Sequence, residues 1–418
     1  MEIEGHKSEG HKNEGHTSNS FYEVGSTYGA TEKKILDSIQ GLASQLKEMS
    51  DFIFDNPELG HKEVRAHALL CDFLEDHGFS VKREVCGLQT AFKAVYKSAG
   101  GGPKIGLLCE YDALEGLGHA CGHHMQGPSI VGAAVALKDC LTEPATLIVY
   151  GTPAEETASG KLIMAKDNVF DELDLAFMMH GSDSTTVDGK SLALNLIDFN
   201  FYGKAAHAAI APDQGISALD GVLSFFNGME YLREHVPDEV RMHGIITDGG
   251  KAANIVPEFA STQWYIRAHT RDRLNQVLER VTQVAEGAAL QTGTKVDLVT
   301  KKAYDNKFNV PVLNELLLAY AHKIGAPDIS EPRKKTGSTD FSSVTYRVPG
   351  ACIRVKYVER GVSSHSKRWL DLGKSEQAKE TILNGAKILA LTIQHIVHRP
   401  ACLKAIQEEF ESARRAAK

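Results

Sequence analysis

Apolar residues recur along this chain with two different periods, and the period separates helices from strands. From Glu32 onward they return every three or four residues, which predicts a helix, and a second helix over 64–77 ends at Gly78. Short apolar runs then predict strands at 94–96, 105–108, 147–150 and 175–179. Helical patterns at 130–137 and 161–169 lie between them. This alternation of strands and helices predicts an α/β layered fold.

The pattern changes near residue 191. A long alternating strand over 192–202 is followed by a helix over 215–234, strands at 242–247 and 261–268, a helix over 272–291 and a strand at 295–300. The order β-α-β-β-α-β is that of a ferredoxin-like sandwich. We therefore predict an inserted domain over 191–305, between two parts of a main domain, 26–190 and 306–418. The second part begins with a helix at 311–324 and ends with a long helix at 374–397.

The first 25 residues differ from the rest of the chain. Glu-Gly-His recurs at His6, His11 and His16, with Lys, Ser and Asn between the repeats. Such a polar, low-complexity segment has nothing to bury, so it predicts a disordered tail or a purification tag. A metal-binding tail is the alternative.

Composition limits the classes of partner. The 418 residues carry a net charge of −8 with a pI near 6.1, which does not favour nucleic acid. No apolar run approaches the roughly 20 residues that span a bilayer. The seven cysteines are odd in number and scattered, which is typical of a reduced, cytoplasmic protein.

Three histidines and a cysteine crowd a glycine-rich segment after the strand predicted at 105–108. They are His119, Cys121, His123 and His124. A Cys and a His two positions apart can reach one ion, and neighbouring glycines let the backbone bend close to it. Thiolate and imidazole suit zinc or a similar ion. A loop whose histidines make ordinary hydrogen bonds is the alternative.

Two adjacent carboxylates, Glu155 and Glu156, follow the strand predicted at 147–150. Acidic pairs at strand ends are usually solvated. Because successive side chains diverge, however, Glu156 can face an ion while Glu155 faces a water molecule. A carboxylate beside such a water can act as a general base.

Single histidines and glycine-rich turns are the remaining candidate functional residues. His180 directly follows the strand predicted at 175–179, and His365 lies in a segment that begins at Gly361. A lone histidine is more often a core or surface residue than a ligand. The segments around His207 and Asn254 contain the Gly and Asn residues that tight turns favour, so ordinary turns explain them equally well.

Seven short stretches in a fixed order resemble the M20 family of metallopeptidases. The closer likeness is to its amidohydrolase subgroup, which includes hippurate, auxin-conjugate and aminobenzoyl-glutamate hydrolases and Xaa-Lys/Arg dipeptidases. The stretches are 56–60, 109–114, 118–123, 151–156, 203–208, 254–257 and 337–341. The resemblance implies a mixed-sheet α/β/α catalytic domain with an inserted ferredoxin-like lid that also dimerises.

The resemblance also implies a metal centre. Two divalent ions, for which zinc, manganese, cobalt and nickel all suit the ligands, would share Cys121. His123 and Glu156 would join them, and His180 and His365 would complete the pair.

Further roles follow from the same resemblance. Glu155 would be the general base, and Asp112 would orient a ligand histidine. His207, contributed by a second copy of the chain in a homodimer, would polarise the scissile carbonyl. His124 departs from the family pattern, in which Asp or Asn often follows Cys-Gly-His, so we expect it to alter the surroundings of the ligands.

The expected substrate is a small N-acyl amino acid or dipeptide with a free carboxylate. Asn254, Arg267 and Thr339 would contact it. An N-acyl-glutamate or -aspartate with an aromatic acyl group and a dipeptide with a basic C-terminal residue are both open. The cations considered for an acidic substrate are Lys204, Lys251, Arg267, Arg354 and Lys356.

Two other functions compete with this prediction. In the first, Cys121 is a nucleophile that His123 activates, although residues two apart seldom hold that geometry and Glu155 and Glu156 are then unexplained. In the second, the chain is a non-catalytic metal-binding protein, and the presence of Glu155 argues against it.

Overall fold

A computed structural model describes residues 23–416, except 99, 158, 188, 190 and 333–338. The repeated histidines of the predicted tail lie outside these residues. The helices are α1 Ala30–Gly41, α2 Ala43–Asp55, α3 Val64–Asp76, α4 Gln126–Cys140, α5 Gly160–Lys166, α6 Ala218–Arg233, α7 Arg271–Thr292, α8 Pro311–Lys323, α9 Ser342–Thr345, α10 Lys367–Asp371, α11 Glu376–His398 and α12 Pro400–Ala416. The strands are β1 Ser80–Arg83, β2 Phe92–Lys97, β3 Lys104–Cys109, β4 Thr146–Gly151, β5 Leu175–Ser182, β6 Thr186–Val187, β7 Ala193–Tyr202, β8 Arg241–Asp248, β9 Phe259–Ala268, β10 Lys295–Tyr304 and β11 Gly350–Lys356.

The larger sheet has seven strands in the order β1-β2-β4-β3-β5-β11-β6. Its centre is parallel: β3 pairs with β4 and β5, and β5 pairs with β11. The pairs at its two sides, β1 with β2, β2 with β4 and β11 with β6, are antiparallel. The mixed sheet that the resemblance implies is therefore confirmed. The carboxyl ends of β3, β4, β5 and β11 meet at one edge, where ligands bind in α/β sheets.

Helices cover both faces of this sheet because its central strands are apolar throughout. Helix α4 is buried along most of its length and packs between the sheet, α1 and α11. Helices α5 and α9 contribute to a smaller core on the opposite face, around Phe170 and Phe341. Each fully buried apolar side chain contributes about 2 kcal/mol to stability. No helix in the described part of the chain is both long and apolar enough to cross a bilayer.

The smaller sheet has four antiparallel strands in the order β10-β7-β9-β8. Helices α6 and α7 pack together and against it, and Phe199, Phe225 and Trp264 lie in a separate core. Along the chain the order is β7-α6-β8-β9-α7-β10. This is the ferredoxin-like arrangement that the sequence pattern predicts.

Some predicted elements differ from those observed. The continuous helical pattern after Glu32 is split at Leu42 into α1 and α2, because a one-residue break leaves the apolar period unchanged. Strand β5 extends to Ser182, so His180 lies within the strand and not after it. Strands β1, β6 and β11 and helices α9, α10 and α12 were not predicted. The arginine and lysine of β11 obscure its apolar pattern, and α12 begins at Pro400 and has few apolar positions.

Candidate active site

Four chain segments meet at the carboxyl edge of the parallel strands. Asp112 follows β3, Glu155 and Glu156 follow β4, and His180 lies near the end of β5. His365 reaches the same edge from the loop after β11, where its backbone N–H donates to the carbonyl oxygen of Ala120 at 3.0 Å. Topology therefore joins residues that are more than 250 positions apart in the sequence.

Cys121 lies at the centre of two groups of potential ligands. In each group the donor atoms lie within 4.8 Å of one another. The first contains Cys121, His123 and His180, and the second contains Cys121, Glu156 and His365. Burial alone would raise the pKa of the Cys121 thiol, but the neighbouring His123 and His180 outweigh it and lower the pKa to about 6. A thiol in such surroundings is ready to be a thiolate ligand.

The histidine rings are fixed from outside the cluster. The Nδ1 atom of His123 lies 3.0 Å from Oδ1 of Asp112, and Nδ1 of His180 lies 2.7 Å from the carbonyl oxygen of Gly181. These contacts leave the Nε2 atom of each ring facing Cys121 and its neighbours. Asp112 is buried, and its Oδ2 atom accepts from the backbone N–H of Glu156 at 3.0 Å. One carboxylate thus positions residues of both groups.

Unpartnered donor atoms show what the cluster fits. Nε2 of His123 and Oε1 of Glu156 are buried, yet neither makes a hydrogen bond within the described chain. Nε2 of His365 lies 3.0 Å from Oε1 of Glu156, but the atoms are not oriented for a hydrogen bond. Buried polar atoms that lie close together without bonding each other are arranged as metal ligands are, around a common position. One thiol, three imidazoles and one carboxylate could hold two divalent ions that share the thiol.

Glu155 differs from its neighbour Glu156. Burial, followed by the charges of Glu110 and Asp340, raises the pKa of Glu155 well above its ordinary value. Burial opposes ionisation of Glu156 also, but His365 and His123 outweigh it and lower its pKa to about 2. Two adjacent carboxyl groups whose pKa values are pushed apart suit two tasks, one as a proton carrier and the other as a ligand.

The loop that carries these carboxylates is held in an unusual conformation. Ala154 has a φ of 60°, which non-glycine residues seldom adopt. Its backbone N–H donates to Oε1 of the buried Glu63 at 2.8 Å, and Thr90 donates to the other oxygen of Glu63. The loop between α2 and α3 therefore supports the candidate active site from outside.

Sequence reasoning missed Glu63, and it assigned no role to Glu110, Gln126 or Lys161. Lys161 left one signal, a lysine directly before the apolar run 162–165. The signal from Glu63 was hidden because acidic residues are common at the start of helices.

A cavity of about 490 Å³ opens over the cluster. Its charged and polar lining includes Glu110, Cys121, Glu155, Glu156, His180, Asp183, Lys307, Thr339, Arg354 and His365. Of the cations considered for an acidic substrate, Arg354 lines this cavity, and Lys307 is an addition that the sequence did not indicate. Thr339 also lines the cavity, whereas residues 337 and 338 of its motif lie outside the described part of the chain.

Three predicted substrate contacts lie on the smaller sheet and its loops, away from the cavity lining. His207 and Asn254 are exposed, and their loops pair through a hydrogen bond from Ala208 N–H to the carbonyl of Asn254 at 3.0 Å. Arg267 is half-buried on β9, beside the ring of Tyr265. Within one chain the structure does not bring these residues to the metal-ligand groups.

His124 faces away from the cavity. Its ring is fully buried, Nε2 lies 2.8 Å from the carbonyl oxygen of Gly373, and the ring packs edge-on against Phe54. The residue therefore joins the metal-ligand loop to the turn after α10.

This fold and its cluster of thiol, imidazole and carboxylate groups define a metal-dependent hydrolase of amide bonds. The chain belongs to peptidase family M20/M25/M40, whose family model matches residues 106–395. It is 33% identical to a mouse Xaa-Arg dipeptidase over 91% of this chain and 92% of that protein.

Two further proteins are similar over most of the chain. One is a component of the p-aminobenzoyl-glutamate hydrolase of Escherichia coli K12, which is 29% identical over 90% of this chain and 94% of that protein. The other, a dinuclear metal-binding peptidase of the same family from Bacillus subtilis, shares the fold, with a TM-score of 0.67 and 18% identity over 86% of this chain and 99% of that structure. The family resemblance drawn from the sequence is thus confirmed.

Proposed function

We propose that this chain is a two-metal amidohydrolase that cleaves the amide bond of N-acyl amino acids or dipeptide-like conjugates beside a free carboxylate. The observation that carries the proposal is the pair of ligand groups that share Cys121 and lie next to Glu155. His123 and His180 would hold one ion with the shared thiolate, and Glu156 and His365 would hold the other. Zinc, manganese, cobalt and nickel all suit this set.

Two bound divalent ions supply Lewis acidity, which polarises a carbonyl group and makes a water molecule easier to deprotonate. Glu155 lines the cavity beside these groups and accepts the proton of the attacking water. Burial raises the pKa of its carboxyl group, which favours taking up that proton, and the protonated carboxyl then donates it to the leaving amine. Asp112 keeps the His123 ring and the Glu156 backbone in place throughout.

We further propose that 191–305 is a lid and dimerisation domain. The remaining part, 26–190 with 306–418, is the catalytic domain. His207 would reach the active site of a second copy of the chain, where it would polarise the scissile carbonyl. Asn254 and Arg267 would contact the substrate carboxylate, and Thr339 already lines the cavity.

An exposed strand supports the homodimer. Strand β8 lies at the edge of the smaller sheet, and Ile245 and Ile246 on it are 63% and 43% exposed. An edge strand with exposed apolar residues pairs readily with another chain. A second copy paired there would cover this edge.

Two substrate types remain to be separated. The names of the mouse and bacterial relatives point to Xaa-Arg dipeptides and to aminobenzoyl-glutamate, and both substrates carry a free carboxylate beside the scissile amide. The cavity lining contains an acidic residue, Asp183, as well as Arg354 and Lys307. Of the two types, the dipeptide with a basic C-terminal residue has the more similar named relative.

Release of free amino acid from a small panel tests the proposal. The panel contains aminobenzoyl-glutamate, hippurate, indoleacetyl-aspartate and β-alanyl-lysine, each with added manganese or zinc. We expect metal-dependent release that Glu155→Gln abolishes, whereas Glu172→Gln, which changes a surface ion pair, retains it. Two bound ions per chain without release from any member would favour the non-catalytic alternative.

A chelator and iodoacetamide separate the metal mechanism from a cysteine nucleophile. We expect the chelator to abolish activity. We expect iodoacetamide to leave activity unchanged when metal is retained during alkylation. The reverse result would identify Cys121 as the nucleophile.

We also propose a cytoplasmic location. The seven cysteines all lie among the described residues and form no disulfide, as expected in a reducing compartment.

A further inference from the structure

We infer that Lys161 is a positioning residue of the catalytic site, whose ammonium group fixes Glu110 and Asp340 beneath Glu155; this inference rests on the proposed function. Lys161 is the second residue of α5, and its side chain is fully buried. Its Nζ atom lies 2.5 Å from Oε1 of Glu110 and 2.7 Å from Oδ1 of Asp340. It does not line the cavity, so it acts through the residues it holds.

The surrounding charges show why a cation is needed there. Oxygen atoms of Glu110, Glu155 and Asp340 lie within 4.8 Å of one another. Carboxylates this close repel strongly in a buried setting unless a positive group lies among them. The ammonium of Lys161 is bonded to two of the three, so it holds the cluster together.

Glu110 connects Lys161 to the proposed metal ligands. While Oε1 of Glu110 faces Lys161, Oε2 accepts from the side-chain amide of Gln126 at 2.7 Å and lies 3.3 Å from Nε2 of His123. Both oxygens of Glu110 are therefore restrained. Without Lys161, Gln126 alone restrains the carboxylate, which can then take His123 as its ion partner and disturb the ligand atom that faces Cys121.

Asp340 extends the contacts of Lys161 to another segment of the active site. It directly precedes Phe341 of the cavity wall, and α5 follows the loop that carries Glu155. Lys161 thus joins the end of β3, the loop after β4 and the segment before α9. A cation that joins all three fixes the wall of the cavity against the catalytic loop.

The test compares three variants of the full chain. Lys161→Met removes the ammonium, and Lys161→Met with Asp340→Asn also removes one uncompensated charge so that the protein folds. Lys323→Met is the matched control, because Lys323 forms another buried ion pair, with Glu32, and neither residue lines the cavity. We expect the double variant to regain the melting temperature that Lys161→Met loses.

Two measurements on the folded double variant decide the question. We expect kcat to fall about 100-fold with little change in KM, as misplaced catalytic groups produce. We also expect the visible spectrum of the protein loaded with cobalt(II) ion to change, because that spectrum reports ligand geometry. Lys323→Met should change neither.

The outcomes are distinct from those of the proposed function. A change in kcat or in the cobalt spectrum, absent from the Lys323 control, supports positioning by Lys161. Wild-type kcat and a wild-type spectrum in the double variant overturn it and leave only a structural ion cluster. If the wild-type protein hydrolyses no amide, the proposed function fails, and the cobalt spectrum alone still decides for Lys161.

Discussion

At the scale of single residues, the candidate active site is defined by atoms that lack partners. Nε2 of His123 and Oε1 of Glu156 are buried without hydrogen bonds among the described residues, although buried polar groups are nearly always satisfied. On their outward side, one oxygen of Asp112 lies 3.0 Å from the ring of His123 and the other accepts from the backbone N–H of Glu156. The contrast distinguishes His123 and Glu156, which face the proposed ions, from Asp112, which holds them in place.

His124 provides a prediction at this scale. In His124→Asp, a carboxylate would replace the ring nitrogen that faces the carbonyl of Gly373, so two acceptors would meet in a buried place. We expect a loss of about 3 kcal/mol in the free energy of unfolding, measured with urea. His124→Gln retains a donor and should lose less. Metal content should stay near that of the wild type, since His124 does not line the cavity. Equal stability of His124→Asp and wild type would contradict this account.

At the scale of elements, the candidate active site depends on how neighbouring segments support one another. The segment between α2 and α3 supports the loop after β4. It also contacts the loop after β3, because the carbonyl oxygen of Glu58 accepts from Ala113 N–H at 2.8 Å. The stretch 56–60, which carries part of the family resemblance, thus has a structural role. It packs against the segments after β3 and β4 without lining the cavity.

Gly60 tests that support. A Cβ atom there would lie 2.3 Å from Oγ1 of Thr157 and 2.8 Å from Cβ of Ala154, so the catalytic loop must shift. We expect Gly60→Ala to lower kcat about 10- to 100-fold. Gly41→Ala is the control, because a Cβ at Gly41 meets nothing within 4 Å. Unchanged kinetics in Gly60→Ala would show that the two loops are independent.

The contact between α1 and α8 gives a pH-dependent prediction. Burial alone would raise the pKa of Glu32, but hydrogen bonds from Lys323 and from the backbone of Gly29 outweigh it and lower the pKa. A lowered carboxyl pKa adds stability above the ordinary value of 4.5, and this stability is lost as pH falls through the folded-state pKa.

Glu32→Gln should therefore unfold more easily at pH 7, by about 2 kcal/mol. The difference from wild type should shrink as the pH falls below 4.5, which melting curves at several pH values would measure. A difference that stays constant across this range would show that charge is not the cause.

At the scale of the whole molecule, the site of a single chain is incomplete in the proposed mechanism. The cavity lining of one chain contains Glu155 and four of the proposed ligands, whereas His207, Asn254 and Arg267 lie elsewhere. A second copy of the chain would supply them, and the exposed edge strand β8 offers a surface for it.

Mixing two inactive variants tests this exchange of residues. His207→Ala and Glu155→Gln should each be inactive alone. After unfolding and refolding together, half of the dimers are mixed, and each mixed dimer has one intact site if His207 crosses between the two copies. We expect about a quarter of wild-type activity to return. If His207 serves its own chain, the mixture stays inactive.

Much of this protein follows from local sequence alone. Apolar periods predicted most helices and strands, including the order of the inserted sheet, because burial of one face imposes the period directly. The resemblance stretches contain Cys121 and Glu155, because functional groups keep fixed neighbours along the chain, whereas His365 lies outside them and was singled out as a lone histidine near Gly361. Strand β11 was missed because its charged residues break the pattern.

Tertiary structure decided what no local pattern contains. The parallel pairing of β3, β4, β5 and β11 brings Cys121 and His365 together, since the edge of a sheet gathers segments that are far apart in sequence. Burial, which depends on the whole fold, raises the pKa of Glu155. At Glu156, His365 and His123 from other segments outweigh burial and lower the pKa. The same packing places Lys161 between carboxylates from other segments. Without these partners, burial of its ammonium group would be too costly.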